Sequence, residues 1–413
     1  MSARSQPATV TDHESDEIRR GSVPTIPDLS GAIPTSSEAR SKRRIASLEG
    51  ELEMFRQEKG TKQRKTTFYV AQGRAVRRLT VLYTCLDDLI TENDRRYEEG
   101  QLDDFEENNT PEQDRLQRGY IALVRALPWL HEKLTELDID ETKDMLKKLK
   151  KGADAARGDD TSTLKDLVAS WVNQDFCPSR PLKSDNKQSR GFAHNVCGKL
   201  LCPAEWDFSN DRVKAGIRDR TSDYIVSENS WPLFLYEDYT TNPNNLEEGL
   251  FKSKILVQAF KATFTSPSSS READGDGEGA DILENNRRAR RQLNQVKVKT
   301  CVASIISMKK VTPRSIAYIV CQVRFALSSV SSWRTVDGDF DYEAFWNNTV
   351  DFFEMSPGPV ADRRVTTLLE WWTRKIFGSN HRQDLTPEVV SKMSVTALAD
   401  QRKALEDAAL DSD

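Results

Sequence analysis

The stretch from Lys309 to Gly378 constrains the fold most, because capping residues, apolar spacing and aromatic density agree along it. Thr312 reads as a side-chain N-cap, and Pro313 follows at the first helical position, where a missing N–H costs nothing. Behind them Ile316, Ile319, Val320, Val323, Leu327 and Val330 recur at three- and four-residue steps, the spacing of one helix face. Tyr318 and Phe325 are apolar off that face, so burial on more than one side is expected. Asp337-Gly338 supplies a turn. Asp341 can cap a second helix carrying Phe345, Trp346, Val350 and Phe353, ended by Pro357-Gly358-Pro359. A third helix presents Leu368, Leu369, Trp372 and Ile376, with Gly378 as its C′ residue. Residues at such spacing build a core before they build a site.

A chain of 413 residues accommodates two domains, or one large domain with a disordered arm. The net charge of −5 predicts no general attraction to nucleic acid. No N-terminal apolar run reads as a signal peptide, and no window of about 18 apolar residues could span a bilayer. Six cysteines are dilute for this length and point to a reducing interior, nucleus or cytoplasm. Cys85, Cys301 and Cys321 fall in apolar helical patterns and read as small core hydrophobes.

Residues 1–36 are rich in Ser, Thr, Pro and charge and read as a disordered tail. Ile45, Leu48, Leu52 and Phe55 then form a heptad seam of about two heptads, a weak dimerisation element or a face packing on its own domain. Arg56 to Arg78 is strongly basic and Asp87 to Asp114 strongly acidic. Blocks this close are expected to neutralise each other across neighbouring helices. The sharper reading of the basic block is phosphate contact. Val76, Leu79, Leu82 and Leu86 mark a buried face, as do Leu116, Tyr120, Leu123 and Leu127 before Pro128. Asp140 is expected to cap a lysine-rich helix containing Met145, Leu146 and Leu149, with a polar break at Gly158–Thr163 before a further short helix at Leu164–Val172.

The middle is the least regular part. His194, Cys197 and Cys202 have ligand chemistry, with Cys177 upstream as a fourth group, but lack the paired spacing of a standard zinc finger. Trp206, Tyr224, Trp231, Phe234, Tyr236 and Tyr239 beside Arg212, Arg218 and Arg220 suit a loop-rich core, and less readily base stacking. A helix is expected over Leu250–Phe264. Asp274, Asp276 and Glu278 imitate the start of a calcium loop, but Asn285 stands at the twelfth position where glutamate is needed. An acidic disordered insertion over 266–286 is the better reading. Arg287-Arg288-Ala289-Arg290-Arg291 after it suits nuclear import or phosphate binding. Phosphate-loop, dinucleotide, nucleophile-elbow and zincin motifs are missing, and His131 and His194 are the plausible general bases.

Several strings carry a resemblance: Val311–Ser329, Phe345–Glu354, Leu368–Gly378, Arg190–Pro203, Ser230–Tyr236 and Leu250–Ser269. Together they resemble an expanded family of uncharacterised proteins from mushroom-forming fungi. The resemblance implies a domain of unknown function and brings no cofactor or catalytic residue.

The expected fold is mainly α, an irregular multi-helix assembly with a disordered N-terminal tail and the acidic insertion. The expected division is a tail at 1–36, a helical region at 37–175, a family-like domain at 176–378 interrupted by 266–286, and a tail with a short helix at 379–413. The leading functional expectation is an intracellular, non-enzymatic interaction module with a protein partner or a weak homodimer through 45–55. Nucleic-acid binding through 56–78 and 287–291 is the alternative, and a metal-dependent enzyme the second. No membrane association is expected, and the sequence nominates no catalytic, cofactor or metal residue.

Overall fold

The computed structural model describes residues 41, 44, 45, 48, 66–99, 109–271, 275–291, 300–378 and 386–410. The chain divides into two units, 1–62 and 63–413. In the first, Ser41, Arg44, Ile45 and Leu48 are helical, and Ile45 and Leu48 are exposed. Leu52, Phe55 and the basic residues Arg56–Lys65 lie outside the described residues, as does the tail 1–36.

The second unit is built from helices. After a helical segment at 66–73 come α1 (Val76–Leu79), α2 (Leu86–Glu98), α3 (Pro111–Ala126), α4 (Leu130–Glu136) and α5 (Ile139–Phe176). The irregular middle holds α6 (Asn195–Leu201), α7 (Asp211–Asp219), α8 (Lys254–Phe260) and α9 (Gly279–Arg291). Then follow α10 (Val302–Ile305), α11 (Pro313–Leu327), α12 (Tyr342–Glu354), α13 (Pro359–Phe377), α14 (Pro387–Ser391) and α15 (Ser394–Leu410). The strands β1 (Val336–Asp337) and β2 (Phe340–Asp341) form a small antiparallel hairpin around Gly338. The fold is mainly α, as the sequence requires.

Helix α11 is the axis of this unit. A capping box between Thr312 and Ser315 starts it, Pro313 occupies the first turn, and every residue from Arg314 to Leu327 is buried. It is packed by α5, α12, α8 and α1 on different sides. Apolar residues off the main stripe, such as Tyr318 and Phe325, therefore find partners too. Asp341 caps α12 through the backbone N–H groups of Glu343 and Ala344. A second cluster joins Val76, Leu89, Leu123, Leu130, Met145 and Leu149, and a small third one gathers Cys202, Phe208, Val213, Ile217 and Leu233.

Asp138, not Asp140, caps α5 by accepting the Glu141 N–H, and four larger expectations need correction. The polar stretch Gly158–Thr163 is no break: α5 runs for 38 residues, about 57 Å at 1.5 Å per residue. Its polar residues serve buried partners instead. Asp160 receives the Arg78 guanidinium and the Tyr318 hydroxyl, and Thr161 Oγ1 lies 3.0 Å from Gln322 Oε1. The second correction concerns 266–286, which is not wholly irregular. Residues 279–291 form α9, whose Ala280, Ile282 and Leu283 pack on the main core, and Asn286 Nδ2 lies 3.3 Å from Cys301 Sγ. Third, the helix expected from Leu250 starts at Lys254, capped by Ser253, because Phe251 adopts a left-handed backbone with φ of 59°. Fourth, Cys85 is exposed beside the start of α2, while Cys301 and Cys321 are buried as expected.

Charge neutralisation also takes a different route from the expected one. Arg74, Arg77 and Arg78 pair with Asp159, Asp154 and Asp160 of α5, not with the acidic block. Within that block Glu92 pairs with Arg95 and Arg96, and Asp114 with Arg96.

Candidate functional site

Helix α3 presents two faces. Its N-terminus is fixed by a capping box between Thr110 and Gln113, with Pro111 at the first turn. Tyr120, Leu123 and the following Leu127 turn inward. The opposite stripe, Arg118, Ile121, Ala122 and Arg125, follows the same three- and four-residue steps but faces a groove of about 740 Å³. The far wall is the connector Ile306–Lys310 with Thr312, Pro313 and Arg314 at the start of α11. Leu79 and Glu354 complete the lining.

The connector is set by a tight helix end. Ser307 takes a left-handed backbone with φ of 55°, and Met308 N–H donates to Ala303 O at 2.8 Å. This turn buries Met308 and leaves Ile306 half-buried and Lys309 and Lys310 exposed. Ile121, Ala122, Leu79, Met308 and Ile306 thus give the groove an apolar side, and the cations stand around it.

The electrostatics are one-sided. Arg314 grips Glu354 with a two-point fork, both contacts 2.8 Å, and donates to Thr80 O at 2.6 Å. Arg115 and Arg118 both pair with Asp351. Glu354, which lines the groove, and Asp351 on the same helix are therefore both paired. Arg125, Lys309 and Lys310 have no ion-pair partner among the described residues and stand exposed at its edge. Such a lining accepts apolar groups flanked by negative charge.

A second cavity, about 890 Å³, lies between α13 and the segment Asn245–Lys252. Its charges are largely matched: Arg364 pairs with Glu247 at 2.7 Å, and Trp371 has Lys252 and Lys375 near its ring.

The residues nominated by the sequence do not converge. Among the described residues no group of three or more His, Cys, Asp or Glu is placed to hold a metal ion. His194 caps α6: its Nδ1 accepts the Cys197 N–H at 3.3 Å, and its Nε2 donates to Arg180 O at 2.8 Å. Both ring nitrogens are thus occupied by backbone. Cys197 and Cys202 are buried, and that burial raises both thiols to about 12. Cys177 is exposed at the end of α5. His131 Nδ1 lies 3.3 Å from the Tyr120 hydroxyl. Arg287 and Arg288 both pair with Glu284 on their own helix, and the side chains of Arg290 and Arg291 lie outside the described residues. Of the aromatic group, Phe234 and Tyr236 are core, and Trp206 packs edge-on against Tyr224. No helix among the described residues is long and apolar enough to cross a membrane.

Sequence reasoning did not single out Arg118, Arg125, Lys309 or Lys310. The signal was present as two cations on the outer stripe of a well-capped helix and a Lys-Lys pair just before another cap. Nothing local said that the two would face each other.

The axial helix, most of α5 and the aromatic α12–α13 fall in a mainly helical stretch that a recognised sequence family covers. The chain belongs to a family of unknown function, DUF6698, which matches residues 151–377. That match begins within α5 and ends with α13, so it covers the α11 wall of the groove but not α3. No curated protein and no solved structure matches the chain.

Proposed function

We propose that the protein is a non-enzymatic interaction module whose groove between α3 and the Ile306–Arg314 segment receives an acidic amphipathic helix of a protein partner. The observation that carries this reading is the unmatched charge of Arg125, Lys309 and Lys310 beside an apolar floor. An incoming helix would place apolar side chains at three- and four-residue steps against Ile121 and Ala122, with its Asp and Glu at the cationic edge. Charge complementarity of this kind speeds association and sets register more than it adds affinity. A reducing intracellular setting, nucleus or cytoplasm, fits the free cysteines, and fungal origin fits the family-like strings. A short coiled coil through 45–55 would add a weak homodimer contact.

The test is a binding measurement with acidic amphipathic peptides on the full chain, comparing the parent with Arg125→Glu/Lys309→Glu/Lys310→Glu. The parent should bind at low salt, weaken as salt rises, and lose at least tenfold in affinity in the triple variant. Equal binding by parent and variant would overturn the reading. Tighter binding of an RNA or DNA duplex than of any acidic peptide would favour the nucleic-acid alternative. Internal pairing of Arg74, Arg77, Arg78, Arg287 and Arg288 speaks against that alternative.

A further inference from the structure

Three buried basic side chains gather at the C-terminal end of α11, and two of them have an obvious task. Arg190, fully buried, donates from Nη1 to Ala326 O at 2.8 Å and to Lys165 O at 2.9 Å, and from Nη2 to Lys183 O at 3.0 Å. Lys187 Nζ donates to Phe325 O. Both satisfy carbonyls that a helix end leaves over, and both offset its negative dipole. Arg324, in the last turn of α11, satisfies no such carbonyl among the described residues. It is 4% exposed, and among the described residues its Nε has no hydrogen-bond partner and no ion pair engages it.

The Arg324 guanidinium lies over a ring, with Cζ 3.2 Å from the centroid of Phe340. That contact covers one face and Nε is buried, while Arg324 as a residue lines a cavity of about 170 Å³. The other charges there are already matched. Arg220 holds Asp339 from both Nε and Nη2, and Arg334 reaches Asp337 at 3.5 Å. Arg324 has no ion-pair partner within 4 Å among the described residues, and Asp337 and Glu228 act on it only through space. A buried cation left so carries a large desolvation cost. Ser328 and Ser329 stand beside it, and Phe192, Leu201 and Ile217 supply an apolar wall.

We propose that this cavity binds a small organic monocarboxylate, with its carboxylate on the edge of Arg324 and its apolar body against Phe192, Leu201 and Ile217. A planar guanidinium with one face covered recognises a planar carboxylate by two parallel hydrogen bonds. Asp337 and Asp339 in the same wall disfavour a dianion such as phosphate. This site is separate from the α3 groove and does not depend on it.

Calorimetric titration and thermal shift on the full chain test the proposal with acetate, butyrate and benzoate as probes. Benzamide serves as the uncharged counterpart of benzoate, and inorganic phosphate as the competing anion. At least one carboxylate should bind saturably, at least tenfold more tightly than benzamide or phosphate, and raise the melting temperature. Arg324→Met should abolish binding without lowering the melting temperature, because a buried unpaired charge is replaced by an apolar chain. Ser329→Tyr, at an exposed position of the cavity wall, should weaken binding at least tenfold in a normally folded protein, and it decides the matter if Arg324→Met does not fold. No saturable carboxylate binding, equal binding of benzamide, preference for phosphate, or unchanged binding in a folded variant would each overturn the assignment.

Discussion

Arg78 and Asp160 meet as a buried fork: Nε lies 2.8 Å from Oδ2, and Nη2 2.7 Å from Oδ1. Tyr318 donates its hydroxyl to the same Oδ2 at 2.7 Å. Burial alone would lower the guanidinium, but its hydrogen bond and charge interaction with Asp160 raise it above the ordinary arginine value. The fork ties α1 to the middle of α5, and Tyr318 extends it to α11. Removing one partner, as in Asp160→Ala, should cost about 3–5 kcal/mol, because a charge is left buried alone. The matched replacement Arg78→Met/Asp160→Leu/Tyr318→Phe should recover much of that loss. Urea unfolding of the two variants checks this. A triple variant no more stable than Asp160→Ala would refute the account.

Gly73 and Gly152 mark a crossing where two backbones touch. A Cβ on Gly152 would stand 2.0 Å from Val70 O, and one on Gly73 2.1 Å from Leu149 O. Helix propensity alone favours Gly152→Ala by about 1 kcal/mol. The clash is with backbone, which cannot swing aside, so overpacking should prevail by roughly 1–3 kcal/mol. A lower urea midpoint for Gly152→Ala is expected, and a higher one would show that the segment 66–73 can move away from α5.

Thiol reactivity should divide the six cysteines two against four. Cys85 and Cys177 are exposed, and Cys197, Cys202, Cys301 and Cys321 are buried. Burial also pushes the Cys197, Cys202 and Cys321 thiols upward, which keeps them protonated and unreactive at neutral pH. Titration with an aromatic disulfide reagent should count two fast thiols in the native protein and six in denaturant.

Lys187 should make stability depend on pH in an unusual direction. Burial lowers its ammonium from 10.5 to about 7, and the neighbouring Arg190 charge acts the same way. Between those values the unfolded chain holds a proton that the folded one has released, so stability rises with pH and falls as pH drops towards 7. The slope is at most about 1.4 kcal/mol per pH unit for one proton. Urea midpoints at pH 7 and 8.5 should rise in the parent and rise less in Lys187→Met. Identical pH dependence in the two proteins would remove Lys187 as the source.

The capped helices were readable because their information is local. Thr312-Pro313 and Asp341 fix helix starts through atoms a few residues away, and the three- and four-residue spacing of Ile316 to Leu327 fixes the buried stripe. The Gly158–Thr163 stretch was misread for the opposite reason. Its polar residues look like a loop until Arg78, Tyr318 and Gln322, distant in sequence, are seen to need them. His194 is similar: its ligand chemistry is real, but the start of α6 and the Arg180 carbonyl have already taken both nitrogens.

The amino-acid sequence by itself determined a mainly helical protein, the boundaries of its best helices and the identity of its central one, since propensity, capping and periodicity act over a single turn or two. Tertiary structure alone decided which charges are satisfied. Arg78 and Arg314 are matched by carboxylates, Arg190 by carbonyls, and Arg125, Lys309, Lys310 and Arg324 by nothing in the described chain, because a charge's partner is set by packing between elements far apart in sequence.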